Sequence, residues 1–64
     1  MRIVGKVVKA QSYARYALVV IEGNAELHGM LMRPWVTLTM PVPTAEGFPI
    51  GRAVIVTVED APEA

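Results

Sequence analysis

The sequence predicts an all-β domain, a small five-stranded antiparallel barrel, from three observations. The chain has 64 residues, which leaves room for one domain with one small core. Five short segments of β-branched or alternating apolar residues are separated by glycine, proline and polar turns. Curling so thin a sheet into a barrel buries one face and hides the edges. We therefore expect a single domain over residues 1–60 and a frayed acidic tail over 61–64.

The first strand is predicted over residues 2–9, a run rich in β-branched side chains. Alternation along this run separates its charged residues from its apolar ones. Arg2 and Lys6 then lie on one face, and Ile3 and Val7 lie on the other. The strand is expected to have one polar face and one face that joins the core.

The second strand is predicted over Tyr16 to Glu22, after a polar break at residues 10–15. It is apolar on both faces, so it is either central in the sheet or partly committed to a subunit contact. Gly23 and Asn24 follow it, between two apolar segments. Because glycine is required at the first central position of a type II′ turn, we expect a two-residue hairpin at 22–25.

The segment 25–33 fits two structures. A period of two places Leu27, Gly29 and Leu31 on one face of a strand. A period of 3.6 places Leu27, Met30 and Leu31 on one face of one short helix. The strand is favoured, because the preceding Gly-Asn pair is then explained as a hairpin turn.

A proline at position 34 ends this segment, since it disfavours helical geometry at Arg33 and cannot donate a hydrogen bond to a sheet. The fourth strand is predicted over Trp35 to Met40, where apolar and polar residues alternate. The residues expected to face inward are Val36, Leu38 and Met40, and those expected to face outward are Trp35, Thr37 and Thr39.

The last strand is predicted over Arg52 to Glu59, with Val54, Val56 and Val58 facing inward. Before it, the segment 41–51 contains three prolines and two glycines, which argue against regular structure. We expect an 11-residue loop there. Its Phe48 is either a docking knob for another protein or a plug that folds back onto the core.

Composition excludes several classes of function. The chain has no cysteine, so it has no disulfide, thiolate metal site or cysteine nucleophile. A nucleophilic triad would need the only serine, histidine and aspartate together, which are Ser12, His28 and Asp60. The longest apolar run is six residues, whereas a membrane-spanning helix needs about 20. We expect no enzyme activity, no cofactor, no metal site and no membrane partner.

The net charge of zero hides an asymmetry along the chain. Residues 1–20 hold four cations and no acid, and residues 21–64 hold two cations and six acids, so that +4 cancels −4. Arg2, Lys6 and Lys9 also interrupt what would be the apolar part of a secretory signal. We expect a cytoplasmic or virion-associated protein.

The apolar content predicts a homo-oligomer. Hydrophobic residues make up 53% without counting glycine, above the roughly 45–50% of average domains with glycine included. A chain this small needs more polar cover than average, so some apolar surface is expected to meet another subunit. The residues predicted for that interface are Leu18, Val20, Met30, Met32 and Ile55.

The basic first third of the chain predicts binding of single-stranded nucleic acid without sequence preference. Such binding uses cations that follow the phosphates and aromatic rings on which bases stack. The predicted nucleic-acid-binding residues are Arg2, Lys6, Lys9, Tyr13, Arg15, Tyr16 and Trp35. The alternative is a structural or regulatory assembly protein, such as a phage accessory or capsid component, that acts only through protein–protein contacts.

The stretch Phe48-Pro-Ile-Gly-Arg-Ala-Val-Ile-Val-Thr-Val58 resembles the entry into a late strand of OB-fold and SH3-like barrels. In those families a glycine makes the tight entry, which assigns that role to Gly51. The overall layout, with a basic first strand, a tyrosine-bearing loop and a proline-rich loop before the last strand, is similar to the small single-stranded-DNA-binding proteins of filamentous phages. That resemblance implies a dimeric OB-like barrel that stacks bases on aromatic side chains.

Overall fold

The computed structural model describes residues 1–62, which form one antiparallel sheet of five strands and one short helix. The elements are β1 (Arg2–Ser12), β2 (Ala17–Leu27), β3 (Met30–Met32), β4 (Trp35–Met40), α1 (Val42–Ala45) and β5 (Ala53–Thr57). The predicted all-β class with five antiparallel strands is confirmed, and β4 has the predicted bounds. Of the expected frayed tail, residues 63–64 lie outside the described residues.

Strand β2 is the centre of the sheet. It pairs with β1 along one side, while β4 and β3 follow one another along its other side, separated by Arg33 and Pro34. Strand β5 pairs with the far side of β1. The two apolar faces of β2 are therefore those of a central strand. Over residues 1–62 the outer strands do not pair with each other, so the sheet is open and is not closed into a barrel.

The predicted turn at 22–25 is wrong, because β2 runs through it as far as Leu27. Gly23 lies directly across from Gly5 of β1, and a Cβ at Gly23 would lie 2.7 Å from the Ile3 Cγ2 and 2.8 Å from the Val4 carbonyl oxygen. Glycine is therefore required by the close approach of two backbones. It is not a turn residue here.

The hairpin turn lies at His28 and Gly29, whose φ angles are 52° and 78°. Positive φ at both central residues is the geometry of a type I′ turn, which matches the twist of the strands that it joins. It connects Leu27 to Met30, so the alternative of a short helix at 25–33 is wrong. The strand interpretation is correct in type, but the turn divides the segment between β2 and β3 and puts Leu27 and Leu31 on opposite faces.

The short helix lies instead within the segment expected to lack regular structure. Helix α1 spans Val42–Ala45, and a proline in its first turn costs no hydrogen bond that the helix would make. Beyond it the Phe48 N–H donates to the Ala45 carbonyl oxygen at 2.9 Å. Gly51 has a φ of 92°, and its N–H donates to the Val7 carbonyl oxygen at 2.7 Å. The loop is thus folded back against β1.

Strand β1 is longer than expected and contains a bulge. It continues through the predicted break to Ser12, and its register with β2 shifts between Val7 and Lys9. One extra residue, Val8, is inserted there. A bulge resets which residues of a strand face each side of a sheet. Lys9 pairs with Val20 as a result, although strict alternation from Val7 would place it on the opposite face.

The core lies on one face of the sheet, which we call the covered face. At its centre Val7, Val19 and Ile21 are fully buried. The loop and the outer strands close over them with half-buried side chains, which are Val36, Met40, Ala45, Phe48, Val54 and Val56. Phe48 therefore folds back onto the core. Val58, expected to face inward, lies beyond β5 and is 47% exposed.

The opposite side of the sheet is the open face. Register and alternation place Val4, Lys6, Val20, Glu22 and Ile55 on it. No segment of residues 1–62 crosses this face, and the molecule measures only 14 Å along its shortest axis against 40 and 34 Å along the others. The chain is a single sheet with a loop on one side.

Candidate binding surfaces

The open face carries charges of opposite sign on its two central strands. Strand β1 contributes only cations to it, which are Arg2, Lys6 and Lys9. Strand β2 contributes only carboxylates, which are Glu22 and Glu26. Antiparallel pairing of these two strands therefore brings the basic start of the chain beside its acidic continuation.

Lys6 and Glu22 are direct cross-strand partners. One register step beyond the Ile3–Ala25 pair, Arg2 lies across from Glu26. Directly opposed residues of opposite charge stabilise a sheet by about 0.2–1 kcal/mol per pair. The predicted basic face is consequently an alternating cation–anion surface over this half of β1.

The outer strands give the open face apolar margins. Trp35 of β4 is the cross-strand partner of Glu22 and is 64% exposed, and Leu31 of β3 is 82% exposed. On the opposite margin Ile55 of β5 lies beside Val4, and both are more than half exposed. Between the margins lies a depression of about 490 Å³. Its lining includes Val4, Lys6, Val8, Glu22, Arg33 and Ala53.

The β1–β2 hairpin forms the second candidate surface. Tyr13 and Tyr16 stack with their ring centroids 4.8 Å apart and their planes 20° from parallel. The Tyr13 N–H donates to the Tyr16 carbonyl oxygen at 2.7 Å, which closes the four-residue loop. Both rings are about 40% exposed and Arg15 between them is exposed. We call Lys9, Tyr13, Arg15 and Tyr16 the hairpin end.

The predicted nucleic-acid-binding residues thus divide into two groups. Four of them form the hairpin end, where the open-face partners of β1 are the uncharged Val20 and Leu18. Arg2, Lys6 and Trp35 lie on the other half of the open face, beside the carboxylates. Lys6 and Trp35 share one row across the sheet and stand about 10 Å apart, two strand spacings.

The residues predicted for the oligomer interface also fall into two groups. Leu18, Val20 and Ile55 lie on the open face. Met32 is the partner of the buried Ala25, so Met30 and Met32 lie on the covered side, in a corner that the loop does not reach. Met30 is 69% exposed there.

The residues with catalytic potential are kept apart. Ser12 ends β1 at one end of the sheet, and His28 lies in the turn at the other end, 11 residues beyond the partner of Ser12. At about 3.3 Å per residue they are some 36 Å apart. Within residues 1–62 no three His, Cys, Asp or Glu side chains are grouped to hold a metal ion. No helix in that range has the length and apolar character needed to cross a membrane.

Sequence reasoning missed Glu22 and Glu26 as members of the same surface as Arg2 and Lys6. The signal was present, because each pair is spaced four residues apart, which is one face of a strand. Recognising it required the turn between β1 and β2 to set the register, and the bulge at Val8 shifts that register.

Comparisons with protein families, with curated proteins and with solved structures find no match to this chain.

Proposed function

We propose that this chain is a non-catalytic binding protein, active as a homo-oligomer in the cytoplasm or in a virion, that holds single-stranded nucleic acid without sequence preference at the hairpin end. The observation that carries the proposal is the stacked pair Tyr13 and Tyr16, exposed at the tip of a hairpin beside Lys9 and Arg15. Exposed aromatic rings on the same hairpin as exposed cations are what a base and its phosphate require.

Electrostatics favours this end of the sheet over the other. A phosphate that approaches Lys6 also meets Glu22, and one that approaches Arg2 also meets Glu26. On the open face of the hairpin end, β1 and β2 carry no carboxylate, and the facing residues of β4 are Thr37 and Thr39. The attraction for an anion is therefore least opposed there.

Binding is tested by fluorescence anisotropy with a labelled oligothymidine and a mixed-sequence oligonucleotide. We expect similar affinity for both, falling with salt because each phosphate contact releases counterions. Tyr13→Ala should cost about 1–3 kcal/mol of binding free energy, the usual loss of one stacked base. Arg15→Ala should weaken binding and flatten the salt dependence.

Arg2→Ala is the matched control, since it also removes one exposed arginine, but one that lies across from a carboxylate. Its affinity should stay within about twofold of the unmodified protein, because surface pairs contribute little. Absence of binding at about 50 mM salt, where the counterion effect is large, would reject the proposal.

A second candidate is an assembly protein of the phage accessory or capsid type, which acts only through protein–protein contacts. The open face favours it, because Val4, Leu31, Trp35 and Ile55 are large apolar side chains left exposed on this one face. A stable oligomer that does not bind either oligonucleotide would support this candidate against the first.

A further inference from the structure

The chain exposes more surface than its mass explains. Its accessible area is 5077 Å², whereas a globular monomer of 7.0 kDa exposes about 4,000 Å². The excess of roughly 1,000 Å² is comparable to the 800 Å² or so that each partner buries in a standard interface. An excess of this size equals what one subunit contact would bury.

We propose that the open face is covered by the open face of a second copy of this chain, related to it by a two-fold axis that runs parallel to the strands between β1 and β2. This arrangement specifies the homo-oligomer part of the proposed function and does not depend on nucleic-acid binding. Sheets that pack face to face lie about 10 Å apart with nearly aligned strands, so side chains of the two copies meet directly.

Charge selects this axis. A two-fold axis parallel to the strands superposes β1 of one copy on β2 of the other at the same height, which places Lys6 over Glu22 of the second copy, and Glu22 over its Lys6. An axis across the strands would superpose β1 on β1 and set cations over cations, since the charged residues of β1 on this face are all cations and those of β2 are all carboxylates. Opposite charges in register favour one orientation and penalise the other.

The same rotation brings the apolar margin of one copy against the opposite margin of the second copy. It superposes β4 on β5 of the second copy, so the exposed Trp35 ring faces Ala53, which shares the row of Lys6 and Glu22. Ala53 is small and lines the depression on this face. A large aromatic side chain entering a pocket lined by a small residue is a common anchor of protein interfaces.

The rotation also keeps strand direction, so both hairpin ends lie at the same end of the dimer. Two stacked tyrosine pairs and the cations Lys9 and Arg15 from each copy are then neighbours. The dimer would offer a nucleic-acid strand two adjoining platforms, with the same sign of charge on both.

The test is an exchange of charge between two variants. Lys6→Glu places four carboxylates together at the centre of the dimer, and Glu22→Lys places four ammonium groups there. Each variant alone should dimerise at least about tenfold more weakly than the unmodified protein, because like charges oppose one another across the interface. Mixed one to one, the two variants should form a heterodimer, because every cross-interface contact again joins opposite charges.

Mass is measured by light scattering over a range of concentrations, with circular dichroism to establish that each variant is folded. The unmodified protein should have twice the chain mass of 7.0 kDa. Its melting temperature should rise with protein concentration. Glu46→Lys makes the same change of charge in the exposed loop over the covered face and should leave the dimer intact.

Three results would overturn the proposal: an unmodified protein that is monomeric at all concentrations, charge variants that dimerise as well as the unmodified protein, or folded variants that stay separate when mixed. Charge variants that dimerise as well as the unmodified protein are expected if copies join through the free edge of β5, which Lys6 and Glu22 do not touch. Failure here is distinguishable from failure of nucleic-acid binding, because Tyr13→Ala should weaken nucleic-acid binding without changing the mass of the dimer.

Discussion

The two faces of this sheet are made by the same strands but differ in how far their side chains are buried. Along β2, Val19 and Ile21 are fully buried, whereas Leu18 and Val20, which alternate with them, are only half-buried. All four are aliphatic, so hydrophobicity does not separate them. The separation comes from the segment 41–52, which crosses one face and leaves the other free. Hydrogen bonds of Gly51 and Arg52 with Val7 hold that segment in place. Residues 1–62 contain one long loop, and it covers one face of the sheet and not the other.

The largest expected contrast is between two neighbouring residues of β2. Ile21→Ala should lower the free energy of unfolding by about 2–5 kcal/mol, because it leaves a cavity in the core. Val20→Ala lies on the open face and should cost less than about 1 kcal/mol in the monomer. Urea denaturation at low protein concentration measures both. Equal losses would mean that the open face is already packed within a single chain.

A smaller contrast concerns two glycines. Gly23→Ala should destabilise the protein by roughly 1–3 kcal/mol, because its Cβ would press on Ile3 and on the β1 backbone. Gly47→Ala is the control, since a Cβ there meets only the Thr44 carbonyl oxygen at 3.4 Å. Thermal melting of both variants tests whether the covered face can accommodate a Cβ where Gly5 and Gly23 lie across from each other. A stable Gly23→Ala variant would show that the two strands separate without cost.

The smallest expected effect is at the turn, which belongs to neither face. His28 has a φ of 52°, a value that asparagine adopts more readily. His28→Asn should raise the free energy of unfolding by a few tenths of a kcal/mol, and we estimate at most about 0.5. His28→Val should lower it, since β-branched residues resist positive φ. A gain for valine over asparagine in melting temperature would contradict the type I′ geometry.

Local patterns were sufficient for much of the fold. Clean alternation over Trp35–Met40 predicts β4 residue for residue, and β-branched runs predict β1, β2 and β5 with errors only at their ends. Gly23 and Asn24 were misread because a glycine required by two close backbones looks the same in sequence as a glycine in a turn. Helix α1 was missed because a proline in the first turn is compatible with a helix as well as with a loop.

The candidate site was harder to predict than the fold. Each of its residues was visible in the sequence as a cation, an aromatic or an apolar side chain. Which of them share a surface depends on register, and a single extra residue at Val8 moves Lys9 to the open face. Glu22 and Glu26 reach that face by the same pairing, and they change a basic surface into one of alternating charge.

The sequence by itself determined that this is a small all-β domain with a basic beginning and an acidic continuation, because alternation and charge are properties of neighbours along the chain. Only the tertiary structure decided that the sheet stays open, that one face is covered, and that Lys6 lies beside Glu22. Those outcomes depend on contacts between distant segments. Their free energies arise from packing and pairing that no single segment contains.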